Sequence, residues 1–240
     1  MAANIVVLTG AGVSAESGVS TFRDADGIWA QYDYREVATP EGFAANPALV
    51  HGFYNARRAA LPHVAPNAAH RALARLESGL AEQGGRMTLV TQNVDDLHER
   101  GGASRVLHMH GELSKARCDV CGNVSSWKDD LSTELSCAQC GAVGAMRPHV
   151  VWFGEMPFFL REIEHAIADA DLFVSIGTSG SVYPAAGFVA EARACNIPTL
   201  ELNLEPSENA AIFDEGRYGP AGDIVPQWVE ETLNGTRNGD

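Results

Sequence analysis

The residues "NIVVLT" (4–9) run without a break into Gly10-Ala11-Gly12. An apolar run that short, closed by glycines, fits a buried strand and is too brief for a helix. Three further runs share the form. "RMTLVT" (86–91) closes on Gln92-Asn93-Val94-Asp95, "DLFVSIGT" (171–178) on Gly177-Thr178-Ser179, and "IPTLELN" (197–203) on Asn203-Leu204-Glu205. "DIVP" (223–226) is a candidate for a short fifth strand. The four main runs look like buried parallel strands, each long enough for a strand and too short for a helix. Helical patterns lie between them at 66–85, 162–170 and 183–196. The first of these starts at Pro66-Asn67, carries Ala69, Leu73, Leu76 and Leu80 at helical spacing, and stops at Gly84-Gly85. The fold class that follows is α/β, a Rossmann-like parallel sheet whose ligands bind at the carboxyl ends of the strands. Apart from Val94 and Leu204, the residues at those ends are small or polar, as a ligand crevice requires.

Two stretches interrupt the alternation. Residues 22–60 are too long for an ordinary connection and are expected to form short helices and a lid or cleft wall. Residues 112–147 are polar and hold four of the five cysteines, and they read as a small zinc-ribbon insertion. The expected domains are therefore a discontinuous Rossmann-like unit over 1–111 and 148–233, the irregular part at 22–60, the insertion at 112–147 and a disordered tail at 234–240. The formal charge of −14, from 31 acidic and 17 basic residues, repels phosphate backbones and anionic lipid headgroups. Nucleic acid and membrane are accordingly not expected as partners. With no signal segment and no apolar run of spanning length, a cytoplasmic protein is expected, and a monomer is expected separately.

Cys118-x2-Cys121, then 15 residues, then Cys137-x2-Cys140 has the spacing of a four-thiolate zinc site. Four thiolates leave no open coordination position, so a zinc here is structural. A redox-active CxxC is the competing reading, and two pairs at this spacing favour the metal. Cys195 is expected to be a small buried hydrophobe near a helix end. In "TGAGVSAESG" the order Gly10-x-Gly12-x-x-Ala15 meets the dinucleotide fingerprint, with Gly10 for the turn and Gly12 for approach of the backbone to a diphosphate. The acidic residue that a redox Rossmann domain carries about 20 residues further on has no strand end to occupy here. Asn203 and Glu205 are candidates to hold the sugar instead.

Together these motifs resemble the sirtuin family of NAD-dependent protein lysine deacylases. The resemblance is carried by "GAGVSAESGVSTFRDADGIW", "TQNVDDLHERGG", "LHMHGEL", the two CxxC pairs, "RPHVVWFGEMP", "GTSGSVYPAAGF" and "LNLEPS", in family order from residue 10 to residue 207. The pattern looks closest to bacterial members that accept acidic acyl groups. The resemblance implies that NAD is a co-substrate to be cleaved. It places Gly10, Ala11, Gly12, Ser14 and Glu16 around the diphosphate and ribose, and Phe22 and Arg23 on a cofactor-binding loop. Gln92, Asn93 and Asp95 would line the ribose and nicotinamide pocket, while Gly177, Thr178, Ser179, Asn203, Leu204, Glu205 and Ala221 would complete the adenosine side.

His110 falls where the family has its catalytic base, and Asn93 is expected as a second catalytic residue. A neutral imidazole suits removal of a proton from a sugar hydroxyl after the acyl oxygen has displaced nicotinamide. His98 and His108 are expected to be structural. Tyr54 and Arg57 would share a face if their segment is helical. In the acidic-acyl sirtuins such a Tyr-x-x-Arg pair receives the acyl carboxylate, and the adjacent Arg58 is expected to face solvent. An acyl-lysine protein or peptide would add as a strand along Val151, Phe153, Gly154 and Glu155. The products implied are deacylated lysine, nicotinamide and O-acyl-ADP-ribose. Two other readings share some features: a dehydrogenase using the same glycine loop, which lacks the ribose acid, and a zinc-ribbon binding protein, which needs no polar strand ends.

Overall fold

The computed structural model describes residues 3–19 and 32–237. Six parallel strands form the main sheet: β1 (Asn4–Thr9), β2 (Arg86–Thr91), β3 (Val106–His108), β7 (Leu172–Ile176), β8 (Thr199–Asn203) and β9 (Glu215–Tyr218). Their order is β3-β2-β1-β7-β8-β9. The chain leaves β1 for β2 on one side and returns to β7 on the other, so the carboxyl end of β1 lies at a topological switch point.

The helices among the described residues are α1 (Gly12–Ala15), α2 (Tyr34–Val37), α3 (Pro40–Ala45), α4 (Pro47–Ala60), α5 (Ala68–Glu82), α6 (Leu97–Arg100), α7 (Leu160–Ala168), α8 (Phe188–Ala194) and α9 (Ala221–Arg237). Strand periodicity sends Val7, Leu89, Val174 and Leu202 to one face of the sheet. There they bury against Leu73, Leu76 and Leu80 of α5 and Val225, Trp228 and Val229 of α9. Val6, Leu8, Val90 and Phe173 point to the other face and pack on Ile163 and Ile167 of α7 and on Phe188 and Val189 of α8. Continuous apolar strands are the result of this double coverage. Helix α5 starts where expected, because the Asn67 side chain accepts from the Ala69 and His70 N–H groups.

A second, antiparallel sheet holds β4 (Gly111–Cys118) between β5 (Val124–Ser126) and β6 (Met146–Val150). Its inner face is a small cluster of Ala116, Cys118, Leu131, Cys137 and Met146. Between this module and α4 lies a third apolar cluster that includes Val37, Phe53, Tyr54, Leu113, Val150 and Trp152. No helix among the described residues is long and apolar enough to cross a membrane.

Three expectations are corrected. "DIVP" is not a strand but part of the first two turns of α9, since Val225, Trp228, Val229 and Leu233 recur at helical spacing and bury together. Residues 234–237, expected in the tail, belong to α9, which continues to Arg237. Cys195 is exposed: it caps the carboxyl end of α8, and Asn196, at a φ of 59°, ends the helix before the chain enters β8.

Candidate NAD and acyl-lysine site

The glycines after β1 are required first by the protein's own backbone. The Gly12 N–H donates to the Gly177 carbonyl at 2.9 Å, and the Gly10 N–H donates to that of Ile176 at 2.9 Å. A Cβ on Gly12 would come within 2.7 Å of Gly177 Cα, and one on Gly177 within 2.5 Å of the Val13 nitrogen. The loops after β1 and β7 thus interlock at a distance only glycine permits, which shapes a close-set floor at the switch point. Thr178 hydrogen-bonds Ser175 at 2.9 Å, and Asn203 Nδ2 donates to the Thr178 carbonyl at 2.8 Å, tying the end of β8 to the same floor. Ser179, Leu204 and Glu205 stand at its rim, with Leu204 and Glu205 exposed. Glu16 accepts from the Gly222 N–H at 2.9 Å, which brings the start of α9 and Ala221 against the glycine loop.

Buried polar side chains converge behind this floor. Ser14 Oγ accepts from Asn93 Nδ2 at 3.1 Å, donates to Asp95 Oδ2 at 3.2 Å, and lies 3.3 Å from His70 Nε2. Asp95 Oδ1 accepts from the Leu97 N–H at 3.1 Å. Burial raises the Asp95 pKa, and the bonds from Leu97 and Ser14 oppose that rise. His98 is buried against Thr9 at 2.9 Å. His108 places Nδ1 3.2 Å from the Asn93 carbonyl and Nε2 2.7 Å from Glu99 Oε1. Both partners are acceptors, so both ring nitrogens carry protons. Burial opposes that charge, but the Glu99 carboxylate outweighs it and the His108 pKa is raised.

His110 follows β3 and faces the site from the opposite side. Its Nδ1 lies 3.1 Å from the Gln92 carbonyl, and its own carbonyl accepts from the Val151 N–H at 2.8 Å. The carbonyl fixes the proton of the neutral ring on Nδ1 and leaves Nε2 as the basic atom. Burial lowers the pKa of His110, so the neutral form prevails around pH 7.

Tyr54 and Arg57 lie one turn apart on α4. Tyr54 is 3% exposed, and burial pushes its pKa up to about 12. The Arg57 guanidinium lies 5.9 Å from the Tyr54 ring centre. Its pKa is lowered by burial, against the opposing fields of Tyr54 and the Asp95 carboxylate. Arg58 departs from expectation. It is 4% exposed, with Nε donating to the Leu113 carbonyl at 2.7 Å and an outer nitrogen to Asn55 Oδ1 at 2.9 Å. It holds α4 to β4 and does not face solvent. Phe22 and Arg23 lie outside the described residues.

The sulfur atoms of Cys118, Cys121, Cys137 and Cys140 all lie within 4.8 Å of one another. The Cys118–Cys140 and Cys121–Cys137 pairs are each 3.7 Å apart. That is far longer than a disulfide and matches the edge of a tetrahedron with metal–sulfur bonds of about 2.3 Å. The four thiolates therefore fit one structural Zn2+.

The model of the Sir2 family matches residues 10–184. The chain belongs to the Sir2 family. An NAD-dependent protein deacylase of Caulobacter vibrioides is 64% identical, over 95% of this chain and 96% of its own length. One of Escherichia coli K12 is 54% identical, over 98% of this chain and 84% of its own. Among solved structures, a Sir2 homolog in complex with NAD matches with a TM-score of 0.86 at 37% identity, covering 97% of this chain and 90% of that one. A Sir2 protein bound to an acetylated peptide matches at 0.79 and 28% identity, covering 95% and 92%. Sir2 membership carries the enzyme class with it: an NAD-dependent protein deacylase, with NAD as co-substrate.

Among the described residues singled out in the sequence, the four cysteines form a separate cluster, the glycines, Thr178 and Asn203 meet at the interlocked strand ends, and Tyr54 and Arg57 share α4. Trp152, Arg147 and His70 join them without having been singled out. For His70 a signal existed in Asn67-x-x-His70, a helix start whose fourth residue turns back on the first.

Proposed function

We propose that this Sir2 enzyme removes succinyl and malonyl as well as acetyl groups from lysine side chains of proteins, releasing deacylated lysine, nicotinamide and O-acyl-ADP-ribose. The observation that carries the acyl preference is the pairing of Tyr54 and Arg57 on one face of α4, with the Arg57 guanidinium within the field of Asp95 at the NAD side. An arginine fork and a phenol can together receive a carboxylate, which an acetyl group does not have.

The chain's own groups divide the work. Gly10, Ala11, Gly12, Ser14, Glu16, Gly177, Thr178, Ser179, Asn203, Leu204, Glu205 and Ala221 hold the dinucleotide, with Phe22 and Arg23 assigned to the covering loop. Gln92, Asn93 and Asp95 hold the nicotinamide ribose. The acyl oxygen displaces nicotinamide at the anomeric carbon, and His110 Nε2 then takes the proton from a ribose hydroxyl, which becomes the nucleophile. Nicotinamide leaves with the glycosidic electron pair, the ribose oxygen bonds to the acyl carbon, a water adds to that carbon, and the lysine amine leaves with the C–N electron pair and a proton, so the acyl group ends on the ribose.

The peptide is read as an added strand along Val151, Phe153, Gly154 and Glu155. The N–H groups of Val151 and Phe153 already donate, to His110 and to Ala38 at 2.8 and 2.9 Å. Pairing with the peptide therefore falls to carbonyl oxygens and to Gly154. The acetylated peptide bound by the solved Sir2 protein supports a peptide as the ligand class.

The test is nicotinamide release from NAD in the presence of succinyl-lysine and acetyl-lysine peptides of one sequence, with wild type and Arg57→Met. Arg57→Met should cut kcat/KM on the succinyl peptide by about 100-fold, the size of a lost charge-assisted pair, and spare the acetyl peptide. Equal losses on both peptides would remove Arg57 from the acyl pocket.

A further inference from the structure

Trp152 reaches Tyr54 across 98 residues of sequence: its indole Nε1 lies 3.1 Å from the Tyr54 hydroxyl oxygen. The two side chains are 2% and 3% exposed, so water does not compete for the bond. An indole N–H can only donate. The Tyr54 oxygen is therefore the acceptor, and its own hydrogen must point elsewhere. Among the described residues no acceptor takes that hydrogen.

Trp152 is held on three sides. Its backbone N–H donates to Glu155 Oε2 at 2.8 Å, and Glu155 is gripped by Arg147 through two bonds of 2.7 and 2.9 Å. The Arg147 guanidinium stacks 3.2 Å from the indole centre, and Phe43 closes in with its ring 5.1 Å away. Arg147 is itself 3% exposed and also donates to the Val150 carbonyl. An indole fixed by its backbone, one face and a neighbouring ring keeps its N–H aimed at a single point.

We propose that Trp152 is a specificity-positioning residue, which through Nε1 holds the Tyr54 hydroxyl as a hydrogen-bond donor toward acyl groups that end in a carboxylate. A phenol that already accepts one bond is biased to offer its hydrogen, and an ionised carboxylate can only accept. An acetyl group ends in a methyl and is indifferent to the orientation of that hydroxyl. The Tyr54 pKa of about 12 keeps the hydrogen in place at any physiological pH. This inference rests on reading Tyr54 and Arg57 as the acyl pocket.

The experiment is a double-mutant cycle of Trp152→Phe and Tyr54→Phe, measured at saturating NAD on succinyl-lysine and acetyl-lysine peptides of identical sequence. Trp152→Phe should raise KM for the succinyl peptide about 5–10-fold, the worth of one hydrogen bond, and leave its kcat and the acetyl KM unchanged. With Tyr54 already phenylalanine, the Trp152 change should have no further effect on the succinyl peptide. Equal shifts on both peptides, or a full additional loss in the double variant, would overturn the proposal. Should Trp152→Phe lose the fold, 3-benzothienylalanine at position 152 keeps the indole shape, replaces N–H by sulfur and must give the same selective loss. A wild type that turns over acetyl but not succinyl peptide would sink the acyl-pocket reading itself. A wild type active on both whose selectivity ignores Trp152 would sink only this inference.

Discussion

The Nδ1 of His110 and the carbonyl oxygen of Gln92 stand 3.1 Å apart, at the junction of the proposed base with the strand end that carries Asn93. The contact sets which nitrogen is basic, and burial lowers the pKa below the ordinary 6.5. The base must be neutral to act, so activity falls as pH drops through the lowered pKa. The acidic limb of kcat/KM for deacylation should therefore lie below pH 6.5, and His110→Ala should lose at least about 100-fold. An acidic limb above 6.5 would count against His110 as the base.

Gly177 is the tightest point of the interlocked loops, with a φ of 62° and the Val13 nitrogen 2.5 Å from where a Cβ would sit. Gly177→Ala should weaken NAD binding strongly and destabilise the fold by more than about 2 kcal/mol, as read by calorimetric titration and urea unfolding. Gly52, in the middle of α4 with nothing within 4 Å of the place a Cβ would take, is the counterpart. Gly52→Ala should stabilise by about 0.5–1 kcal/mol and leave catalysis unchanged.

The zinc module has only a handful of buried side chains, two of them its own cysteines. Metal analysis should find one zinc per chain. Stripping it with a strong chelator should lower the Tm by about 10 °C and disorder the β4–β6 sheet first. A redox pair would instead leave the Tm unchanged.

Acid should destabilise the protein well before its carboxylates titrate. Burial lowers the pKa of His51, brings His70 to about 4 and takes His98 well below 6.5. All three are under 4% exposed. The unfolded chain protonates such residues near pH 6.5 while the folded chain resists, so stability is full above that pH and declines below it. Each deeply lowered histidine costs about 1.4 kcal/mol per pH unit until its folded pKa is reached. His108, with its raised pKa, works in the opposite sense, contributing stability below 6.5 that is lost as pH rises through its folded value. Burial lowers the pKa of His110 and His149 as well, and five against one predicts a lower urea midpoint at pH 5.5 than at pH 7.5, a difference His70→Gln should flatten.

How far the sequence spoke for the structure depends on where the relevant physics sits. "NIVVLT" and "RMTLVT" are strands to the residue, because burial on both faces keeps most of each run apolar. Strand β9 was silent because "EGRY" lies at the sheet edge and is largely exposed, so nothing apolar marks it. "DIVP" misleads because two β-branched residues look like a strand until Trp228, Val229 and Leu233 are read with them. Arg58 looks like any basic residue beside another. Only the third dimension sets the Leu113 carbonyl against its guanidinium. The bond between Trp152 and Tyr54 belongs to the same class, since no local pattern links residues so far apart.

The clasp of Glu16 on Gly222 and the seat of Gly12 on Gly177 bear on how the protein is made. Its earliest element, β1 with the glycine loop, is completed by neighbours translated more than 150 residues later. During synthesis the loop emerges from the ribosome long before its supports and waits unsupported until Gly177 and Gly222 appear. The binding competence of a nascent chain should thus arise late and abruptly, when α9 clears the exit tunnel.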